Sequence, residues 1–299
     1  MAEELPPRGG SDILLGNLYK YVDVPDDVNI IMSICDEDLI VSGKRNYMWM
    51  HVPHSQPASE GVNNKYFNRR IEKFIYVSHW QHEKFRHKFQ IPLHNTVVIK
   101  NAIEPIEFIE KPKGKKKIIF NAPPYRGLDV MLDAFALLDR DDVELDVYSS
   151  TIIYGSDYAK FEGDRFEPLF ERARQMKNIN YIGYVPNEEM RSALQSAHIW
   201  AYPCVFEETS CISMVEAGAA GCALIATNLG GLPETASEFA TLVEIQASHE
   251  QLVQNFAKEL NRVIDSYPDL DSLSLQSDFY NTKYGWANRV SQWEELFRA

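Results

Sequence analysis

The chain has 299 residues, 45% of them hydrophobic and 24% charged, a globular composition that excludes collagen-like, low-complexity and wholly disordered readings. Its 43 acidic residues outnumber 30 basic ones, giving a formal charge of −13. That balance argues against a general nucleic-acid-coating role and against a broadly basic membrane-docking face. The length suits two compact domains or one large one. Cys35, Cys204, Cys211 and Cys222 are widely spaced and form no CxxC, so they read as reduced core thiols rather than a disulfide framework or a zinc knuckle. MAEELPPRGGSD lacks the apolar centre of a secretory signal, and no segment reaches the ~18–20 apolar residues of a membrane span. A soluble, cytoplasmic protein is expected.

β-branched segments alternate with helical patterns along the chain. SDILLGNLYKYV reads as a first helix, followed by strands VNIIMSI (28–34) and NYMWMHV (46–52). KFIYVS (73–78), the helix HWQHEKFRHKF and the strand TVVIKNA (96–102) complete a first unit. EPIEFIEKPKGKKK (104–117), with two prolines and a basic run, reads as a solvated linker, the alternative being that Lys113, Lys115, Lys116 and Lys117 touch phosphate or the anionic lipid of a peripheral membrane contact. Strands then recur at KKIIFNA (116–122), VELDVYS (143–149), NYIGYV (180–185), HIWAYPCV (198–205), CALIATN (222–228) and TLVEI (241–245). Between them lie the helices LDVMLDAFALL, FEPLFERARQM, NEEMRSALQSA and TSCISMVEAGAA, and then HEQLVQNFAKELNRVIDSY. Continuous apolar strands alternating with amphipathic helices predict parallel, doubly wound α/β sheets covered on both faces. The expected organisation is an N-terminal domain over 1–108, a C-terminal domain over 109–280, and a terminal helix over 281–299. That helix carries Trp286, Val290, Trp293 and Phe297 at helical spacing and is expected to pack back on the N-terminal domain. Ligands in such folds sit at the carboxyl ends of the strands.

The densest chemistry lies in PCVFEETSCISMVEAGAAGCALIATNLGGLPE (203–234). A strand ends before Glu208, and Thr209 or Ser210 can cap the helix that follows. Glu208 and Glu216 are separated by seven residues, about 12 Å along a helix at ~1.5 Å per residue. The helix start between them, through Thr209, Ser210, Cys211 and Ile212, offers backbone N–H groups and a positive dipole end suited to phosphate. Two acids flanking a phosphate site suit a ligand with hydroxyls at both ends, as in a nucleotide-sugar. From spacing alone, the alternative stays open that Glu208 merely favours the helix start and Glu216 is solvated.

These residues resemble the donor site of glycosyltransferase family 4, retaining enzymes of the GT-B fold: the strand, the paired acids, the following AGAAG, and GGLPE (230–234). KFIYVSHWQHEKF with HNTVVIKNAIEP, IIFNAPPYRGLDVMLDAFALL, NYIGYVPNEEM and YGWANRVSQWEELF resemble further parts of that family in the same order. The resemblance covers residues 9–299, and the first strand that usually precedes the family's Gly-Gly loop looks missing, since MAEELPP is short and polar. The resemblance implies two Rossmann-like domains facing a cleft. It places Glu208 on the donor sugar hydroxyls, Glu216 on the ribose, and Arg126 on the diphosphate where the family usually has Lys. Asn121 stands where a second basic residue is common, so it supplies no charge. Gly9 and Gly10 correspond to the Gly-Gly loop, and Tyr184 and Val185 to the base pocket. His51 is the expected histidine facing the donor sugar, with His54 the alternative. The donor is expected to be a UDP- or GDP-sugar and the acceptor a glycan or other hydroxyl, with no metal or cofactor and no nucleic acid.

A competing D-x-D at Asp36 and Asp38 could hold a divalent cation but is read as starting a helix. His79, His82 and His87 are read as a solvated helix face. Two functional alternatives stay open: a nucleotide-sugar-binding protein without transfer, and a GT-B-like phosphorylase or epimerase.

Overall fold

The computed structural model describes residues 9–152 and 156–298, with side chains described outside 156–164. In the N-terminal part, α1 (Gly10–Tyr21) precedes β1 (Val28–Met32) and β2 (Arg45–Met50). A short α2 (Lys65–Asn68), β3 (Ile71–Tyr76), α3 (His79–Phe89) and β4 (Thr96–Val98) follow. The strands form one parallel sheet in the order β1-β2-β3-β4. Both faces are covered, as the alternation in β2 requires. Tyr47 and Trp49 pack with Leu14 and Leu18 of α1, while Met48 and Met50 point the other way, toward Phe67, Phe74 and Phe85.

The C-terminal sheet is built from β5 (Lys116–Asn121), β6 (Val143–Tyr148), β7 (Ile179–Tyr181), β8 (Ile199–Tyr202), β9 (Ala223–Thr227) and β10 (Ala240–Val243). Its order is β10-β9-β8-β5-β6-β7, all parallel. The order reverses direction beside β5 and β8, the kind of switch point at which doubly wound sheets bind ligands. Its helices are α4 (Leu128–Leu138), α5 (Ser156–Gln175), α6 (Asn187–Ser196), α7 (Ile212–Ala219), a short α8 (Leu232–Ala236), α9 (His249–Asp265) and α10 (Leu270–Tyr284). β7 is shorter than its sequence suggests. Gly183 takes φ 81°, and the N–H groups of Ile182 and Gly183 both donate to the Val147 carbonyl, which turns the chain out of the sheet.

The last helix, α11 (Ala287–Arg298), crosses to the N-terminal sheet. Trp286, Trp293, Leu296 and Phe297 join the cluster of Leu14, Leu18, Tyr47 and Trp49. Trp293 meets Trp49 edge-on with ring centroids 4.8 Å apart. The crossing is tied to the linker, because Ile103 N–H donates to the Tyr284 carbonyl at 2.8 Å and Asn281 exchanges two hydrogen bonds with Ile106. All four cysteines are buried and unpaired. Asp36 accepts from the Asp38 N–H at 3.0 Å and opens a single 3-10 turn, the structural role expected of the D-x-D. Residues 1–7, where the first strand looked missing, lie outside the described residues. Among the described residues no helix is long and apolar enough to cross a membrane.

Candidate active site

Three helix starts meet where the two sheets face each other. Gly10 opens α1, and a Cβ on it would lie 3.2 Å from Ile212, the first residue of α7. Gly127 caps α4 with φ 105°, and a Cβ there would lie 2.1 Å from the Pro203 carbonyl oxygen, at the end of β8. Only glycine permits that φ and that approach. The positive ends of α1, α4 and α7 therefore converge on one region, a favourable setting for a diphosphate.

Arg126 and Glu208 join across this region. Arg126 Nη1 donates to Glu208 Oε1 at 2.5 Å, and the guanidinium lies 4.8 Å from the Phe206 ring centroid. The Tyr202 hydroxyl donates to the same Oε1 at 2.5 Å. Glu208 is buried, and the two donors satisfy a carboxylate that would otherwise be costly to desolvate. Gly230 and Gly231 fix its backbone. Gly231 N–H donates to the Glu208 carbonyl at 2.6 Å, and Cβ atoms on Gly230 and Gly231 would fall 2.6 Å from Glu208 O and 2.5 Å from Thr209 O. The glycine pair of GGLPE thus acts as a platform under the acidic loop.

α7 begins at Ile212 with Cys211 as its cap residue, later than the Thr209 or Ser210 start expected from sequence. The reason is tertiary: the Thr209 hydroxyl donates to the His51 carbonyl at 3.0 Å, bridging the domains instead of capping the helix. No side-chain hydrogen bond caps α7. Ser210 is half-buried and Cys211 buried beside it. Burial raises the Cys211 thiol well above its usual pKa and the Cys204 thiol to about 12, so both stay protonated.

His51 follows β2, with its ring 4.7 Å from the Trp49 ring. Both its nitrogens are buried without a well-formed hydrogen bond, as is Asn101 Oδ1. Burial outweighs the opposing influence of Asn101 and pushes the imidazole down to about 3, so it is neutral at ordinary pH. His54 packs edge-on near Trp80 and is also pushed down by burial. Of the remaining expected residues, Gly9 is half-buried before α1, Tyr184 is exposed, and Val185 is half-buried in the loop before α6. Asn121 ends β5, where its side-chain oxygen accepts from the Trp200 indole at 2.6 Å, a structural engagement that spacing did not suggest.

Glu216 lies on α7, buried, rather than on a solvated helix face. Burial raises its pKa to about 7, opposed by Arg191, whose Nη1 stands 3.7 Å from Glu216 Oε1. Three participants carry no signal in the sequence. Tyr202 read only as a strand residue. Arg191 read as part of a helix pattern. Glu234 was absorbed into GGLPE, yet its carboxylate accepts the backbone N–H groups of His79 at 3.1 Å and Trp80 at 2.9 Å, capping α3 across the cleft. Lys100 Nζ lies 2.7 Å from the same carboxylate. Burial opposes the charged form of Glu234, but the Lys100 and backbone hydrogen bonds prevail and hold its pKa below the usual value.

The family model described as glycosyl transferases group 1 matches residues 103–274. Among curated proteins, the chain is 24% identical over 241 residues to the phosphatidylinositol N-acetylglucosaminyltransferase GPI3 subunit of Saccharomyces cerevisiae, covering 76% of this chain and 50% of that protein. It is 25% identical over 217 residues to D-inositol 3-phosphate glycosyltransferase of Corynebacterium aurimucosum, covering 72% and 46%. The chain thus spans about half the length of these relatives. Among solved structures, a glycosyltransferase from Rickettsia africae superposes with a TM-score of 0.70 at 14% identity, over 96% of this chain and 79% of that one. The Anabaena HepE protein, crystallised with UDP and glucose, gives 0.69 at 15%, over 90% and 78%. These superpositions establish the two-domain GT-B arrangement.

Proposed function

Because the chain belongs to the group 1 glycosyltransferases, we propose that it is a retaining, family 4-type enzyme. It moves a sugar from a UDP- or GDP-linked donor to the hydroxyl of a glycan or other acceptor. The observation that carries the proposal is the Glu208 carboxylate, buried and held by Arg126 and Tyr202 at the meeting point of three helix starts.

In this reading the diphosphate lies against Gly9, Gly10 and the α7 start from Thr209 to Ile212. It competes with Glu208 for Arg126, whose planar guanidinium can bind phosphate oxygens in pairs. Glu208, once released, turns to the sugar hydroxyls. Glu216 meets the ribose, and Tyr184 and Val185 border the base, while Asn121 lines the loop after β5. His51 presents a neutral imidazole, beside Asn101, to the sugar. The acceptor attacks from the face the diphosphate leaves, and the departing phosphate oxygen takes the acceptor proton. The protein contributes positioning and stabilisation of the leaving charge. Arg126 and the backbone N–H groups supply that stabilisation, so no metal or cofactor enters the scheme. The buried free thiols suit work in the reducing cytoplasm.

The test is a thermal-shift comparison of UDP and GDP with uridine and guanosine, for the wild type and Arg126→Ala. The matching diphosphate at ~100 times its Kd should stabilise by about 2.7 kcal/mol. Its nucleoside should stabilise far less, and Arg126→Ala should erase the difference. Equal stabilisation by diphosphate and nucleoside in the wild type would count against the assignment.

A further inference from the structure

A second cationic cavity lies where the end of β4, the start of α3 and the crossing helices meet. It has a volume of about 270 Å³ and is lined by His79, Val98, Lys100, Lys283, Arg289 and Gln292. It shares no residue with the Arg126–Glu208 site.

Three cations border this cavity in a chain whose formal charge is −13. Lys100 pairs with Glu234 at 2.7 Å. Lys283 has aromatic neighbours, with its Nζ 4.6 Å from the Phe279 ring centroid, but among the described residues no carboxylate pairs with it. Arg289 is buried, at 5% exposure. Its Nε donates to the Lys100 carbonyl and its Nη2 to the Lys283 carbonyl, each at 2.8 Å. A guanidinium carries five donors, and these two carbonyls hold it in a fixed orientation without neutralising its charge. Burying an unneutralised guanidinium is expensive. With Glu234 counted, the cluster carries two uncompensated positive charges. The Lys283 pKa is lowered by burial first, with Lys100 and Arg289 acting the same way and Glu234 opposing.

We propose that this cavity binds a phosphate dianion, either free inorganic phosphate or the terminal phosphate of a larger phosphomonoester. Charge and form agree: two negative charges match the excess, and the volume admits a tetrahedral oxyanion with its waters. Lys100 and Lys283 serve as mobile point charges, and Arg289 is the preoriented donor. The bound dianion competes with Glu234 for Lys100, which links occupancy of the cavity to the Glu234 cap on α3.

The test is calorimetric titration of the full chain with inorganic phosphate and, separately, with glycerol 3-phosphate. It uses the wild type, Lys283→Gln, Lys283→Arg and Arg126→Ala. Lys283 is partly exposed and tolerates substitution better than buried Arg289. Affinity for whichever ligand the wild type binds should fall about tenfold in Lys283→Gln, recover in Lys283→Arg and persist in Arg126→Ala. Binding of inorganic phosphate alone identifies a free-ion site, and binding of glycerol 3-phosphate as well identifies a phosphomonoester site; both uphold the proposal. It is overturned if neither ligand binds, if Lys283→Gln binds like the wild type, or if Arg126→Ala alone abolishes binding. The last result would assign the phosphate to the donor site.

Discussion

Arg126 Nη1 and Glu208 Oε1 stand 2.5 Å apart, joining the turn before α4 to the loop before α7. The pair is buried on the acid's side and partly open on the arginine's. The Tyr202 hydroxyl donates to the same carboxylate oxygen, so Glu208 has a second donor besides Arg126.

If Glu208 acts on the donor sugar as proposed, Tyr202 is a positioning residue. Tyr202→Phe removes one hydrogen bond worth about 1 kcal/mol and should leave the fold intact. Turnover should fall about tenfold with donor affinity nearly unchanged, as measured by steady-state kinetics beside calorimetric binding. A loss confined to donor affinity would show that Tyr202 serves binding instead.

Glu234 ties the domains by capping α3 and pairing with Lys100. Its pKa is held low in the fold, so its contribution is complete above the ordinary carboxyl range and fades as pH falls through the lowered value. Glu234→Gln should cost about 1–2 kcal/mol at neutral pH and speed amide exchange at His79 and Trp80. Protection at those two amides equal to wild type would rule out the cap.

Glu216 has the opposite sign. Its folded pKa of about 7 exceeds the ordinary 4.5, so the folded chain holds a proton that the unfolded chain has released. Stability should therefore fall as pH rises between about 4.5 and 7, by at most ~3 kcal/mol, and level off above. Denaturation curves of Glu216→Gln should lack that component. An unchanged slope in the variant would assign it to another group.

Trp293 anchors the crossing helix on the N-terminal sheet through Trp49 and Phe297. Trp293→Ala should cost about 3–5 kcal/mol in urea denaturation. A cost below ~1 kcal/mol would mean that α11 contributes little to holding the N-terminal domain.

Much of this was legible because buried parallel strands announce themselves as apolar runs. Each strand segment read from the sequence forms, and LDVMLDAFALL and HWQHEKFRHKF became α4 and α3 over the residues expected. α10 escaped notice because its buried face is partly polar: Gln276 donates to the Gly218 and Cys222 carbonyls and Ser277 to that of Ala219. Such a helix shows no apolar stripe. The Glu208–Glu216 spacing located the site, but not its partners. Tyr202 and Arg126 reach Glu208 only through the parallel order of β8 and β5, and Glu234 finds His79 across 155 residues. Thr209 shows the same limit, since its hydroxyl is claimed by the other domain before it can cap α7.

In the proposed function Glu208 acts on the donor sugar. The direct measurement is release of nucleoside diphosphate by Glu208→Gln, with the matching UDP- or GDP-sugar, over a panel of hydroxyl acceptors and in water alone. Glu208→Gln, folded and still able to bind the diphosphate, should lose transfer and most donor hydrolysis. Turnover near that of the wild type would contradict that role.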